Sequence, residues 1–229
     1  MQTDTSMKDR WSPRIEFGGA SSPGRPRTSN GDGWIALEKD GGLAFVVVDG
    51  ISGGGYDGAA GSRIAMDSLA RGIMDGLGPD GAMRKTAWDF QTTATNVGAM
   101  AVACLLRGSR LDISWCGDSG ALLVKDGACA RLTVPHRRSG IPFSALARAV
   151  PSPTIGSLRH DLGEGERVVL ATDGVTDALS REEIGRICSH GTCEEAASTL
   201  VRAAFADKDD STALVLGAPS ACTDASDIE

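Results

Sequence analysis

The chain has 229 residues, enough for one domain or two small ones, and carries 23 Lys+Arg against 30 Asp+Glu for a formal net charge of −7. That balance argues against nucleic acid as the main partner, because a phosphate backbone selects clustered cations, and the longest apolar run, Leu43 to Val48, is too short to span a bilayer. At 41% hydrophobic but only 4% aromatic, the composition is that of a globular protein whose core is filled by aliphatic side chains.

Residues 1–14 read as a loose arm with no apolar stretch of signal-peptide length. Residues 18–33, GGASSPGRPRTSNGDG, read as a loop. Leu43-Ala-Phe-Val-Val-Val48 is a β-branched strand that stops at Asp49-Gly50. In 57–77, Met66, Leu69, Ile73 and Leu77 share one helical face, and 80–90 suits a short second helix. Val97 to Leu106 is apolar enough for a buried strand. Leu111 to Trp115 alternates, stops at Gly117-Asp118-Ser119-Gly120 and is followed by Ala121 to Val124, so 111–124 reads as a hairpin. Arg167 to Thr172 is a strand ending at Asp173-Gly174. Ser180-Arg-Glu-Glu183 and Thr192-Cys-Glu-Glu195 are capping boxes that open two helices. Thr212 to Leu216 is a last strand after Asp209-Asp210, and 218–229 is a polar, acidic tail. With no linker in the middle, 15–217 reads as one domain of mixed α and β character. The cysteines, at 104, 116, 129, 188, 193 and 222, form no C-x-x-C pair and read as reduced thiols of a cytoplasmic protein. Cys188, His190 and Cys193 lack a fourth metal ligand and read as interhelix packing.

One pattern repeats. Asp49, Asp118 and Asp173 each follow an apolar strand, Asp209 or Asp210 precedes one, and Asp32 sits ahead of the first. Each alone reads as a turn residue. Together, carboxylates brought to one sheet rim repel unless a cation neutralises them. Oxygen ligands without His or Cys suit Mg²⁺ or Mn²⁺. Two such ions can hold a phosphoryl group and activate water near neutral pH. A glycine after the acid lets a backbone carbonyl approach a metal with no side chain in the way.

In order and wording these segments resemble the metal-dependent PP2C-type (PPM) protein serine/threonine phosphatases. Arg27-Thr-Ser-Asn-Gly-Asp32 is similar to the family's R-x-x-N-E-D, and Phe45-Val-Val-Val-Asp49-Gly50-Ile-Ser-Gly-Gly to V-x-D-G-x-G-G. Trp115-Cys-Gly-Asp118-Ser119 is similar to V-G-D-S-R, Leu170-Ala-Thr-Asp173-Gly174-Val-Thr-Asp177 to S-D-G-x-x-D, and Asp209-Asp-Ser-Thr212 to D-N-x-T. The resemblance spans about 14–217 and implies an α+β fold, an α-β-β-α sandwich of two central antiparallel sheets flanked by helices. It implies a binuclear Mn²⁺ or Mg²⁺ centre held by Asp49, the Gly50 carbonyl, Asp173 and Asp209. Asp32 would be a nearby acidic ligand and Asp118 would help bind a third ion, so the implied count is two or three. Arg27, alone a solvated loop cation, would grip the substrate phosphate with its forked donors. The implied activity is hydrolysis of phosphoserine and phosphothreonine by a metal-activated water. The implied partners are phosphoproteins and a cognate Ser/Thr kinase or its targets, met by a monomer in the cytoplasm.

The chain departs from the pattern in several places. Gly31 stands where the family has Glu, one extra residue follows Asp49-Gly50, and neither Ile51 nor Ser52 can act as a general acid. The G-T-T-A segment is reduced to Thr93-Ala-Thr-Asn96, Gly120 replaces an Arg and Asp210 an Asn. The segments 78–95 and 136–165 are short, so the flap beside the site is trimmed. His136, in the place of a D-H-S segment, reads as structural, His160 as a surface residue and Arg137-Arg138 as a solvated pair. Two other classes are weighed. A PP2C-like module could bind phosphoproteins without turnover. A dinucleotide site could use Gly53-Gly-Gly55-Tyr-Asp-Gly58, which matches G-x-G-x-x-G but is followed by no acidic strand end at the required distance.

Overall fold

The computed structural model describes residues 15–25, 27–92, 96–205 and 209–217. The arm at 1–14, the tail at 218–229, Cys222 and Thr93 to Thr95 lie outside the described residues. In chain order the elements are β1 (Glu16–Ser22), β2 (Asp32–Lys39), β3 (Gly42–Gly50), α1 (Gly58–Met74), α2 (Pro79–Thr92), β4 (Gly98–Arg107), β5 (Arg110–Cys116), β6 (Gly120–Lys125) and β7 (Ala128–Arg131). Then follow β8 (Arg137–Arg138), β9 (Ile141–Pro142), β10 (Leu146–Ala147), β11 (Gly156–Asp161), β12 (Arg167–Ala171), α3 (Asp173–Thr176), α4 (Arg181–Cys188), α5 (Cys193–Ala204) and β13 (Ser211–Gly217). They form two antiparallel sheets, β1-β13-β12-β6-β7 and β11-β5-β4-β3-β2, with β10 added against β4 and β8 paired with β9 apart from both.

The central strands read as unbroken apolar runs because both of their faces are covered. In β3, Phe45 and Val47 point into the layer between the sheets, where they meet Val102, Ile113, Leu170 and Leu214. The alternate residues Ala44, Val46 and Val48 face α1 and α2 with Leu69, Met83 and Phe90. The second sheet repeats this: Val169, Ala171 and Val215 meet Ile184, Leu200 and Val201 of α4 and α5. Period-two alternation thus distributes one strand between two cores. Both capping boxes are formed: Ser180 accepts from the Glu183 amide and Thr192 from the Glu195 amide, with each Glu reaching back. Asp57 caps α1 by accepting from the Ala60 amide.

Two expectations are corrected. The stretch 18–33 is not all loop: Glu16–Ser22 pairs with β13, and β2 begins at Asp32, so Asp32 lies opposite Asp49 in the β2–β3 register. The glycine- and serine-rich wording conceals a strand because Gly18 and Gly19 are close-approach positions, a Cβ on Gly19 meeting the Trp34 ring. Nor is 111–124 a hairpin. β5 pairs with β4 and β11, whereas β6 pairs with β12 and β7 in the other sheet. Gly117, at φ +95°, makes the crossing between the layers.

α1 lies close on β4 because Gly61 has no side chain: a Cβ there would run into the Gly98 carbonyl, which accepts the Ile51 N–H at 3.0 Å. Gly61→Ala is therefore expected to destabilise the chain by about 1–3 kcal/mol through overpacking. Urea unfolding checks this, and a neutral or stabilising result would mean that the contact gives way freely.

Candidate metal centre

Three carboxylates meet where the ends of the two sheets face each other. Asp49 is the penultimate residue of β3, Asp118 sits in the crossing from β5 to β6, and Asp173 opens α3 directly after β12. One oxygen from each lies within 4.8 Å of the others. Asp118 is 1% exposed, and its Oδ1 is buried with no hydrogen-bond partner. Burial raises the Asp49 carboxyl well above the usual range, with the charges of Asp32, Asp173 and Asp118 adding to it. Burial, then the charges of Asp118 and Asp209, brings Asp173 up to about 6.

Asp32 faces this group from β2. Burial pushes its carboxyl up to about 7, against the hydrogen bond donated by Thr172, which reaches Asp32 Oδ2 from its Oγ1 at 2.8 Å. Two glycines flank the Gly50 carbonyl. A Cβ on Gly58 would lie 2.8 Å from that oxygen and one on Gly31 3.4 Å from it. At Gly31, where the family pattern has Glu, a Cβ would come closest to the Asp210 carboxylate, at 3.1 Å, and the Ser52 hydroxyl donates to the Gly50 carbonyl at 3.4 Å.

The two acids before β13 take different roles. Asp210 is buried; its Oδ1 accepts the Gly24 N–H at 2.9 Å and its Oδ2 accepts the Gly31 N–H at 2.7 Å and Arg27 Nη1 at 2.9 Å. It pins the segment carrying Arg27 to the sheet end. Asp209 is 48% exposed at its side chain and pairs with Arg27 Nη2 at 2.7 Å. It stands outside the group of three, although its charge reaches both Asp49 and Asp173. Arg27 thus lies across Asp209 and Asp210, at the edge of a cleft of about 600 Å³ lined also by Thr28, Ser29, Ser52 and Tyr56.

Arg137 is the residue that the sequence reading missed. It is not solvated surface charge: Nε meets Asp118 at 2.6 Å, Nη2 meets Asp173 at 2.8 Å and Nη1 meets Asp177 at 2.6 Å. These partners lie 19 to 40 positions away in sequence, beyond any local pattern. Arg138 lies over the Phe143 ring at 5.7 Å. His136 accepts the Gly117 N–H through Nδ1 at 3.1 Å and stacks on Trp115, in keeping with a structural role. His160 hydrogen-bonds Glu166 at 2.9 Å. The glycines of Gly53-Gly-Gly55 form a tight turn at positive φ. The amide at the α1 start that a pyrophosphate would need is occupied by the Asp57 carboxylate.

The residues fit a hard divalent cation. The donors are all oxygen, an acceptor of Asp118 is buried without a partner, and burial, with the charges of neighbouring acids adding to it, raises the carboxyls of Asp49 and Asp173. Among the described residues no helix is long and apolar enough to cross a membrane.

The family model described as Stage II sporulation protein E (SpoIIE) matches residues 39–219. A rice protein (Oryza sativa subsp. japonica) named "Probable protein phosphatase 2C 3" is 26% identical over 234 residues, covering 75% of this chain and 47% of the relative, so the chain spans about half the length of that protein. The S. agalactiae serine/threonine phosphatase superposes with a TM-score of 0.76 at 19% identity, over 89% of this chain and 99% of that one. The PstP catalytic domain in complex with two manganese ions gives 0.70 at 23%, over 89% and 97%. PppA, described as a key regulatory component of T6SS in Pseudomonas aeruginosa, gives 0.73 at 20%, over 89% and 97%. At these identities the likenesses establish the fold.

Two outcomes follow from the geometry. Asp32, Asp49 and Asp173 have folded-state values above the unfolded carboxyl value of about 4, so the folded chain holds protons that the unfolded chain has released. The stability they contribute is complete below that value and lost as pH rises through about 6 and about 7. In chelator, the midpoint of thermal unfolding is expected to fall over this window less steeply in Asp32→Asn than in the parent, and Mn²⁺ is expected to abolish the fall. Equal slopes would mean that Asp32 titrates normally. Separately, Asp210→Ala strands two backbone donors and is expected to cost about 2–3 kcal/mol in urea unfolding; a loss under ~0.5 kcal/mol would show that Asp210 does not hold the Arg27 segment.

Proposed function

Because the chain belongs to the Stage II sporulation protein E (SpoIIE) family, within the PP2C-type phosphatases, we propose that it is a Mn²⁺- or Mg²⁺-dependent hydrolase of phosphoserine and phosphothreonine in proteins. The observation that carries this reading is the meeting of Asp49, Asp118 and Asp173, one oxygen of each lying within 4.8 Å of the others, together with a buried Asp118 oxygen that has no hydrogen-bond partner. Asp49, the Gly50 carbonyl and Asp173 would hold two ions, with Asp209 joining once Arg27 releases it. Bound divalent ions supply Lewis acidity toward a phosphoryl group and make hydroxide available near neutral pH.

The chain's own residues do the rest. Arg27 exchanges Asp209 for the substrate phosphate, a trade between two oxygen-rich partners that its fork accommodates. Asp210 keeps the backbone of that loop in place during the exchange. Asp32, with its carboxyl pushed up to about 7 and a hydrogen bond from Thr172, would hold or release a proton at the site. Ser52 and Tyr56 line the cleft in which the peptide flanking the phosphate would lie. The phosphorylated residue would be one supplied by a Ser/Thr kinase, and the setting the cytoplasm.

A second reading, a phosphoprotein-binding module without turnover, is favoured by one observation: Arg27 and Arg137 occupy oxygens of Asp209, Asp118 and Asp173. Hydrolysis of p-nitrophenyl phosphate and of a phosphothreonine peptide, in Mn²⁺ and in EDTA, separates the two. Asp49→Asn and Asp173→Asn are each expected to lower kcat by more than the ~10–100-fold typical of residues one step removed from a metal, and Ser52→Ala by less than about 3-fold. Turnover that survives chelation and both Asp substitutions would overturn the metal reading; no turnover with retained Mn²⁺ and phosphopeptide binding would favour the module.

A further inference from the structure

Arg137 places one guanidinium against three acids. Such a group is planar and rigid, so the acceptors must be arranged around it rather than it around them. Asp118, Asp173 and Asp177 are so arranged, each giving its Oδ2 to a different nitrogen at 2.6 to 2.8 Å. The base of the side chain is fixed as well. The preceding His136 is tied to Gly117 twice, its N–H donating to the Gly117 carbonyl at 2.9 Å and its Nδ1 accepting the Gly117 N–H. Its ring sits 5.9 Å from that of Trp115 and 5.8 Å from that of Phe143, and the Phe143 N–H returns to the His136 carbonyl at 2.9 Å. The crossing that carries Asp118 and the hairpin that carries Arg137 are therefore locked to one another. Arg131 adds a second contact by donating to the Asp118 carbonyl at 2.6 Å.

Asp118 is 1% exposed, and a carboxylate so buried needs a permanent counter-charge. A divalent ion placed on the oxygens that face Arg137 would stand within a few ångströms of a fixed positive charge, where repulsion opposes it. We propose that Arg137 is a resident cation of the acidic cluster: it takes the place of one metal ion on the Asp118–Asp177 side, so that divalent ions load only toward Asp49 and the cluster holds one fewer than its carboxylates could carry. This departs from the third ion that the family resemblance implies at Asp118, and it rests on the proposed metal dependence.

Mn²⁺ titration of the full chain, with free Mn²⁺ counted by electron paramagnetic resonance, tests it. The parent is expected to bind Mn²⁺, and Arg137→Gln to bind one further ion per chain, with a lowered metal-free melting midpoint that Mn²⁺ restores. Arg137→Lys keeps a charge but cannot reach three acids at once. It is expected to take up the extra ion only at Mn²⁺ concentrations at least about 10-fold higher than Arg137→Gln requires, and it carries the test if Arg137→Gln does not fold. A folded Arg137→Gln with unchanged stoichiometry, or an Arg137→Lys that gains no ion at saturating Mn²⁺, would overturn the resident cation while leaving metal dependence intact. A parent that binds no Mn²⁺ would overturn both.

Discussion

The repulsion among acids collected at one rim is the constraint around which the rest is organised. Asp32 and Asp49 face each other across two paired strands, and Asp118 and Asp173 join them from the second sheet. Like charges directly opposite in a sheet are unfavourable, and burial strengthens the penalty by removing water. The chain answers with arginines. Arg27 spans Asp209 and Asp210, and Arg137 spans Asp118, Asp173 and Asp177. The carboxyls of Asp32, Asp49 and Asp173 remain raised nonetheless, first by burial and then by the charges of their neighbours.

The sandwich makes that crowding affordable. Apolar layers on both sides of each sheet hold the strand ends rigidly, and the acids sit on those ends rather than on long loops. Precision at a site of this kind comes from the stiffness of the elements beneath it. The passage from β5 to β6 matters most, because it leaves one sheet and enters the other. Asp118 lies in that passage, so its position is set by both layers at once, together with the His136–Gly117 contacts.

Family resemblance and geometry bear on different questions. The match over 39–219 and the superposable phosphatases establish the family and the fold. The local chemistry belongs to this chain. Gly31 packs against the Asp210 carboxylate and Ser52 where the pattern has a Glu, and Asp210 receives two backbone N–H groups in a position the pattern gives to Asn. A carboxylate presents acceptors on both arms, and here both are used, whereas an amide would turn a donor toward one of these N–H groups.

Local pattern by itself determined the apolar strands at 43–48, 97–106, 167–172 and 212–216, the two capping boxes and the acids at the strand ends, because β-branched runs, cap residues and Asp-Gly stops act within a few positions of themselves. It could not reveal β1, whose glycines serve close approach to Trp34 and α5 rather than a turn. It also mistook the β5–β6 passage for a hairpin, since a tight turn and a sheet-to-sheet crossing use the same Gly and Asp residues, and only the partners of the flanking strands tell them apart. The separate duties of Asp209 and Asp210, and the three-way grip of Arg137, were decided by tertiary structure alone. An ion pair has no period along the chain, and it exists only once folding has brought together groups that the sequence holds far apart.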